Sequence, residues 1–406
     1  MKKLVALVLA ALMVLSLAAC DNGGTDASKD ASQDAEKKLK VGFIYLHDEN
    51  STYDKNFMDA AKEACEKLGV EYVEKTNIKE NNDCYEAALD LVDSGCNIIF
   101  ADSFGHEDYM IKAAKEHPEV VFCHATGTKA HTEGLKNYHN AFASIYEGRY
   151  LAGVVAGLKL NEMIEDGKIT PEEAVIGYVG AFTYAEVISG YTSFFLGARS
   201  QCPTATMHVL FTGSWYDETL EKEAATSLIN TYNCVLISQH ADSMGAPSVC
   251  EQGNIPNVSY NGSTISQCPN TFLVSSRIDW APYYEYIITC VKENKEIGSD
   301  YTGTLADGSV KFTDLNTAAC AEGTQAIFDQ VKAELLAGTR KVFDTDTFTV
   351  NGEKVNEYKA DVDFDTNYEK DTDAVSDGYF HESEYRSAPY FDLWIDGITL
   401  DNTKFG

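Results

Sequence analysis

The chain has 406 residues and 44% hydrophobic content, enough for real cores in more than one compact domain. Its 63 Asp and Glu against 32 Lys and Arg give a formal net charge of −31, which argues against a nucleic-acid surface, where a basic face is needed. With 23 Tyr and 19 Phe, wholesale disorder is also excluded.

Residues 1–20 read as an export signal. Lys2 and Lys3 precede the apolar run Leu4 to Leu17, which is too short and wrongly flanked for a membrane span. The run closes on Leu17-Ala18-Ala19-Cys20, which resembles the bacterial lipobox and implies lipidation of Cys20 after cleavage. Residues 21–37, rich in Asp, Ser, Gly, Ala and Lys, read as a disordered tether. The expected location is the extracytoplasmic face of the cell membrane, held there by lipid.

From residue 38 the pattern alternates strand and helix. Apolar strand runs are expected at 39–46, 70–74, 97–101 and 120–124, with helices at 57–68, 83–94 and 109–117 between them. Polar and aromatic residues follow these strands: Tyr53 and Asp54 after the first, Ser103 and Phe104 after the third. The next helix begins near Glu147 and Arg149, and its Gly153, Ala156 and Gly157 suit close packing. This unit is the N-terminal lobe, 38–158, completed by later crossover segments.

A second unit, 159–312, repeats the alternation. Strands are expected at 174–179, 207–211, 234–238, 255–260 and 272–275, with helices at 187–199 and 283–293. Between the second and third of these strands lies a loop with Trp215, Tyr216 and Asp217. A helix follows whose Leu220, Ala224, Leu228 and Ile229 would face the core and whose Glu221, Lys222 and Glu223 would face water. The 234–238 strand ends in Gln239, His240, Asp242 and Ser243, and the 255–260 strand in Asn261. Such alternation builds parallel sheets covered on both faces, and ligands of open α/β sheets collect outside the strands' carboxyl ends.

The remainder, 313–406, changes character. Residues 303–312 read as a hairpin around Asp307-Gly308 and 325–337 as a helix. The acidic stretch 344–385 reads as a solvated excursion. Asp361, Asp363 and Asp365 suggest calcium, but Thr366 and Thr372 stand where an EF-hand loop needs Gly and Glu. Residues 387–394 return to core-like composition. Ten cysteines besides Cys20 lie mostly in apolar patterns and without metal spacing, so buried thiols are expected ahead of disulfides, with Cys250 and Cys268 the pair to inspect.

The strand-end groups suit a planar, hydrogen-bonding ligand held by stacking. The candidate ligand-binding residues are Tyr53, Phe104, Glu147, Trp215, Asp217, Gln239, His240, Asp242, Asn261 and Trp280. Several have a plainer reading: Asp217 as a helix N-cap, Trp215 as a core aromatic, His240 as a structural histidine, Glu147 as a surface helix residue, Tyr53 and Phe104 as loop packing. No nucleophile elbow, Walker loop, dinucleotide fingerprint or zinc motif is present, so no cofactor or metal is expected and binding is favoured over catalysis.

Four strings carry a resemblance: Ile145-Tyr-Glu-Gly-Arg-Tyr-Leu-Ala-Gly-Val-Val-Ala-Gly157, Ile176-Gly-Tyr-Val-Gly-Ala181, Thr212-Gly-Ser-Trp-Tyr-Asp217 with Glu221-Lys-Glu-Ala-Ala225, and Gln239-His-Ala-Asp-Ser243. Together they resemble the basic membrane protein family, the substrate-binding lipoproteins of ABC importers for purines and nucleosides. The resemblance implies a type I periplasmic-binding fold, two Rossmann-like lobes joined by three hinge crossovers. It implies a small-molecule purine base or nucleoside, adenine among them, as ligand, and a permease with its ATPase as partners of a monomer. It further implies that Trp215 stacks on the base, that Asp242, Gln239 and Asn261 bond its edge, and that Phe104 and Tyr53 contribute from the first lobe. The sequence departs from the family at Ser51, where an aromatic is usual, and at Asn261, where an Asp is usual. Alternative readings are a binding protein for a sugar or vitamin, a surface nucleoside-processing enzyme, or a purely sensory receptor.

Overall fold

A computed structural model describes residues 38–362 and 369–405. The signal segment, tether and Cys20, and Asp363, Asp365 and Thr366 of the calcium reading, lie outside the described residues.

In chain order the first elements are β1 (Lys40–Ile44), α1 (Thr52–Leu68), β2 (Glu71–Lys75), α2 (Asn82–Asp93), β3 (Ile98–Ala101), α3 (Glu107–Glu116), β4 (Val121–Ala125), α4 (Ala130–Glu133), β5 (Tyr138–Ala143) and α5 (Ile145–Glu165). Then come β6 (Val175–Gly180), α6 (Ala185–Gln201), β7 (Thr206–Phe211), α7 (Glu218–Asn230), β8 (Leu236–Gln239), α8 (Gly245–Gly253), β9 (Asn257–Tyr260), β10 (Phe272–Ile278) and α9 (Ala281–Glu293). The closing elements are β11 (Asp300–Gly303), β12 (Val310–Phe312), α10 (Thr324–Leu336), the two-residue strands β13 (Lys359–Ala360), β14 (Thr372–Asp373), β15 (Val375–Ser376) and β16 (Tyr379–Phe380), and β17 (Ile398–Leu400).

The strands build two sheets of the same plan. The first runs β2-β1-β3-β4-β5-β11 and is parallel throughout. The second runs β17-β7-β6-β8-β9-β10-β12, parallel except for β12. Both cores repeat the order 2-1-3-4-5, so each has its topological switch point beside its first strand. The chain passes between sheets three times, at Ala143–Ile145, Ile278–Ala281 and Gly303–Val310. This is the two-lobe, three-crossover α/β architecture expected.

Helices α1 and α9 cover one face of the first sheet, α2 and α3 the other. One apolar cluster continues from that α1 face through α5 and α6 into the second sheet. Helices α5 and α6 touch through glycine: a Cβ on Gly153 would sit 1.9 Å from the Phe194 carbonyl oxygen, and one on Gly197 2.0 Å from that of Tyr150. Only glycine at both positions lets the backbones approach so closely.

Three expectations change. The 303–312 stretch has its turn, with Gly308 at φ +86° and Asp307 accepting the amides of Thr304 and Ser309, but its flanks part: β11 joins the first sheet and β12 the second. Residues 281–303, placed by the sequence in the second lobe, thus return to the first, and the 158/159 boundary falls inside α5. The acidic stretch is not simply solvated, because Phe343 stacks on Phe391 at 4.2 Å and buries with Phe348 and Phe380, while Tyr146 of α5 joins at 5.3 Å. Ser387 to Phe391 are buried, as core-like composition implies, although Trp394 is exposed. All ten cysteines among the described residues are free thiols, nine of them buried, Cys250 and Cys268 included.

Candidate functional site

A small cavity lies between the carboxyl ends of the two sheets, where ligands of such sheets collect. The first lobe supplies Leu46 and His47 after β1, Tyr53 on α1, Ser103 and Phe104 after β3, and Thr126 after β4. The second supplies Glu186 on α6, Trp215 after β7, His240 and Asp242 after β8, and Tyr260 at the end of β9. Switch-point geometry accounts for the convergence, since every wall follows a strand's carboxyl end or opens the helix after it.

The walls are aromatic. Trp215 meets Phe182 edge-on at 4.9 Å, Phe182 stacks on Tyr184 at 5.1 Å, and Tyr184 stacks on Phe104 of the opposite lobe at 5.0 Å. Tyr53 donates from its hydroxyl to the Asp102 carbonyl at 2.7 Å, and its ring packs on Phe57 at 4.8 Å. Tyr260 carries the guanidinium of Arg149 behind it, 4.5 Å from the ring centroid. Thr126 has φ +62°, rare for a β-branched residue, so backbone strain sits directly at the pocket. The loop after it is held by buried Glu107, which accepts hydrogen bonds from the amides of Thr128 and Lys129 and from the Tyr138 hydroxyl.

The polar rim carries both donors and acceptors. His240 Nε2 lies 3.3 Å from Glu186 Oε1 and its Nδ1 3.4 Å from the Tyr178 hydroxyl, which accepts from Arg149 Nη2 at 2.5 Å. These partners fix the direction: Arg149 donates to Tyr178, Tyr178 to His240 Nδ1, and His240 Nε2–H to the Glu186 carboxylate. Burial, with help from the Arg149 charge, holds the His240 pKa low and its ring neutral. Asp242 accepts from Asn261 Nδ2 at 3.1 Å, and burial together with Asp54 and Glu221 pushes its carboxyl well above the usual range. Among the described residues no Lys or Arg lines the cavity.

Helix α1 also bonds directly to the second lobe. The Thr52 amide and hydroxyl both donate to the Asp242 carbonyl, at 3.3 and 3.2 Å, and Asn56 Nδ2 donates to Asn261 Oδ1 at 3.4 Å. Ser51, where the family's aromatic is usual, is buried as the N-cap of α1 and accepts the Asp54 amide.

Of the ten candidate residues, the fold brings Tyr53, Phe104, Trp215, His240 and Asp242 to the cavity wall. The other five lie elsewhere. Asn261 sits one layer out, bridging Asp242 to Asn56. Gln239 points beneath the sheet, where its side chain accepts from Asn257 Nδ2 at 2.9 Å. Asp217 caps α7, accepting the amides of Thr219 and Leu220. Glu147 lies at the third crossover and accepts the Leu305 amide at 3.4 Å. Trp280 is stacked on Phe57 at 4.4 Å inside the first lobe's core, because the chain leaves the second sheet just before it.

Sequence reasoning missed Leu46, His47, Thr126, Glu186 and Tyr260, all reachable by asking which residues adjoin each strand's carboxyl end. It also placed Glu221 in water, whereas Glu221 is wholly buried and accepts the amides of Asp217 and Ser243, tying the Trp215 loop to the Asp242 loop. The core-facing stripe of α7 is therefore Glu221, Ala225 and Leu228, and Leu220 is exposed.

A family model described as "ABC transporter substrate-binding protein PnrA-like", the Bmp model, matches residues 41–337. The chain belongs to the Bmp family. Among relatives of this Bmp protein, a purine-binding protein of Brucella abortus (strain 2308) is 32% identical over 333 residues, 80% of this chain and 90% of that one. A Haloferax volcanii protein named as a glucose-binding component of an ABC transporter is 28% identical over 268 residues, 66% of this chain and 62% of its own length. Among solved structures, a solute-binding protein of an ABC transporter system from Aeropyrum pernix K1 aligns with TM-score 0.63 at 16% identity, covering 75% of this chain and 93% of that one. This Bmp protein is thus a substrate-binding component of an ABC transporter, with a small-molecule ligand and a permease as partners. Among the described residues no helix is long and apolar enough to cross a membrane, and no cluster of three or more metal-ligating side chains occurs.

Proposed function

We propose that this Bmp protein captures a purine base or nucleoside in the interlobe cavity and delivers it to its permease. The observation that carries the reading is the pairing of aromatic walls with two lining carboxyl groups, Glu186 and Asp242. Trp215, Phe104, Tyr53 and Tyr260 offer faces to a planar ring, while Glu186 and Asp242 offer carboxyl oxygens to ring N–H and amino groups. The absence of a lining cation disfavours nucleotides and other anions. The purine-binding relative from Brucella adds support. The ligand closes the lobes because its contacts with Tyr53 and Phe104 on one side and Trp215 and Asp242 on the other coexist only when both lobes touch it. A lipid on Cys20 holding the protein outside the cell belongs to the same proposal, and Cys20→Ala should release it from membranes on fractionation.

The test is calorimetry and thermal shift with adenine, guanine, hypoxanthine, their nucleosides, riboflavin and glucose. A ligand at 100 times its dissociation constant adds about 2.7 kcal/mol of stability. Stabilisation by a purine and none by glucose supports the reading. No response to any purine, in protein freed of carried-over ligand, refutes it.

A further inference from the structure

The segment after residue 337 lies beyond the family match, yet its last residues bond to two loops that lead to the cavity. Strand β17 pairs in parallel with β7, Ile398 opposite Met207 and Leu400 opposite Val209, and so extends the second sheet past its expected edge. Beyond it, Asn402 exchanges two hydrogen bonds with the last residue of β7: Oδ1 accepts the Phe211 amide at 2.7 Å and Nδ2 donates to the Phe211 carbonyl at 2.9 Å. The Phe405 carbonyl then accepts both the amide and the hydroxyl of Thr183, at 2.7 and 3.0 Å. The Phe405 ring lies on Gly213, where a Cβ would come within 2.5 Å of it, and Gly213 has φ +75°.

The two loops held in this way carry Trp215 of the cavity wall and the two aromatics packed on it, Phe182 and Tyr184. Thr183 stands between Phe182 and Tyr184, and Gly213 is two residues before Trp215. The loops also hold each other, since the Thr212 and Gly213 amides donate to the carbonyls of Gly180 and Ala181. The tail touches both without itself lining the cavity. We infer that Asn402 and Phe405 are positioning residues for ligand binding, fixing Trp215 on the cavity wall through the Phe182 and Tyr184 rings packed on it. The inference rests on the aromatic cavity being the ligand site, as proposed above. A pre-set wall loses less freedom when a flat ligand inserts, so the tail acts on dissociation more than on encounter.

The experiment compares the whole chain with Phe405→Ala, Asn402→Ala and a truncation after Asp401, which keeps β17. Hydrogen exchange of peptides covering 180–186 and 211–217 is read without ligand, and the affinity and off-rate for adenine and guanosine are read beside it. The expected result is at least tenfold faster exchange in both loops, at least tenfold weaker purine binding through a faster off-rate, an unchanged melting temperature, and restoration of both by Phe405→Leu. Unchanged loop exchange overturns the inference, and so does faster exchange with unaltered purine affinity. If the unaltered protein binds no purine, the functional proposal fails, and the exchange arm together with Trp215 fluorescence still decides the role of the tail.

Discussion

Glu221 offers a sharp test of how the cavity is held together. It is fully buried, and its Oε1 accepts the Asp217 and Ser243 amides at 3.1 and 3.2 Å, while Oε2 has no partner. Burial raises its pKa to about 7, against the bonds from Ser243 and Asp217, which lower it. The folded protein therefore holds this proton more tightly than the unfolded chain does. Stability from Glu221 is complete below pH 4.5 and is lost as pH climbs to 7. A carboxyl titrating at about 7 folded and ~4.5 unfolded gives up about 3 kcal/mol across that interval. Glu221→Gln keeps the Oε1 acceptor and removes the proton. Urea unfolding of the ligand-free protein at pH 5, 6, 7 and 8 should show the variant gaining about 3 kcal/mol on the wild type as pH rises, with midpoints moving but slopes constant. Glu382, equally buried beside Ser189 and also titrating at about 7, should keep the wild-type trend in that variant and serve as internal control. A stability difference that stays flat from pH 5 to 8 would refute the reasoning.

Trp215→Ala should weaken purine binding about 5- to 150-fold in calorimetry, the equivalent of one stacked base at ~1–3 kcal/mol, with circular dichroism unchanged. Asp242→Asn removes a charge-assisted bond of about 1.5–3 kcal/mol, so affinity should drop about 10- to 150-fold. In the wild type, ionising the raised Asp242 carboxyl on binding should release a proton, seen as buffer-dependent heats and as affinity that increases with pH; buffer-independent heats would contradict the role. Gly153→Ala forces a methyl to within 1.9 Å of the Phe194 carbonyl oxygen and should cost about 3 kcal/mol by urea titration. Wild-type stability there would show that α5 and α6 can separate freely.

The sheets were legible because strands buried on both faces read as continuous apolar runs: Val-Gly-Phe-Ile in β1 and Leu-Ile-Ser in β8 are unmistakable. Trp215, His240 and Asp242 were legible for a topological reason, since residues past a strand's carboxyl end in such a sheet have nowhere else to go. Trp280 obeys the same local rule, but its chain then crosses to the other lobe, and nothing within a few residues announces a crossover. The 303–312 stretch misled in the same way: Asp307-Gly308 makes the turn its chemistry demands, while strand partners are chosen by sheets far away in sequence. Glu221 defeated periodicity because a glutamate is buried here to satisfy backbone amides, a need visible only once two loops are in place. The five cavity residues missed were hidden less by physics than by choosing conspicuous side chains over positions.

The three crossovers also set the order in which the molecule can be completed. A chain made on the ribosome emerges N-terminus first. Yet the first sheet has no closing edge until β11 emerges at Asp300–Gly303, and α1 lacks its packing partner until α9 does. By then β6 to β10 of the second sheet have already emerged. The second sheet in turn waits for β17 at Ile398–Leu400 before its β7 edge is covered. Neither lobe can mature as an independent unit during synthesis, so slow, non-local pairing and a window of exposed strand edges are built into its biogenesis. Refolding from urea should accordingly show both sheets acquiring exchange protection in one late step, not the first lobe ahead of the second.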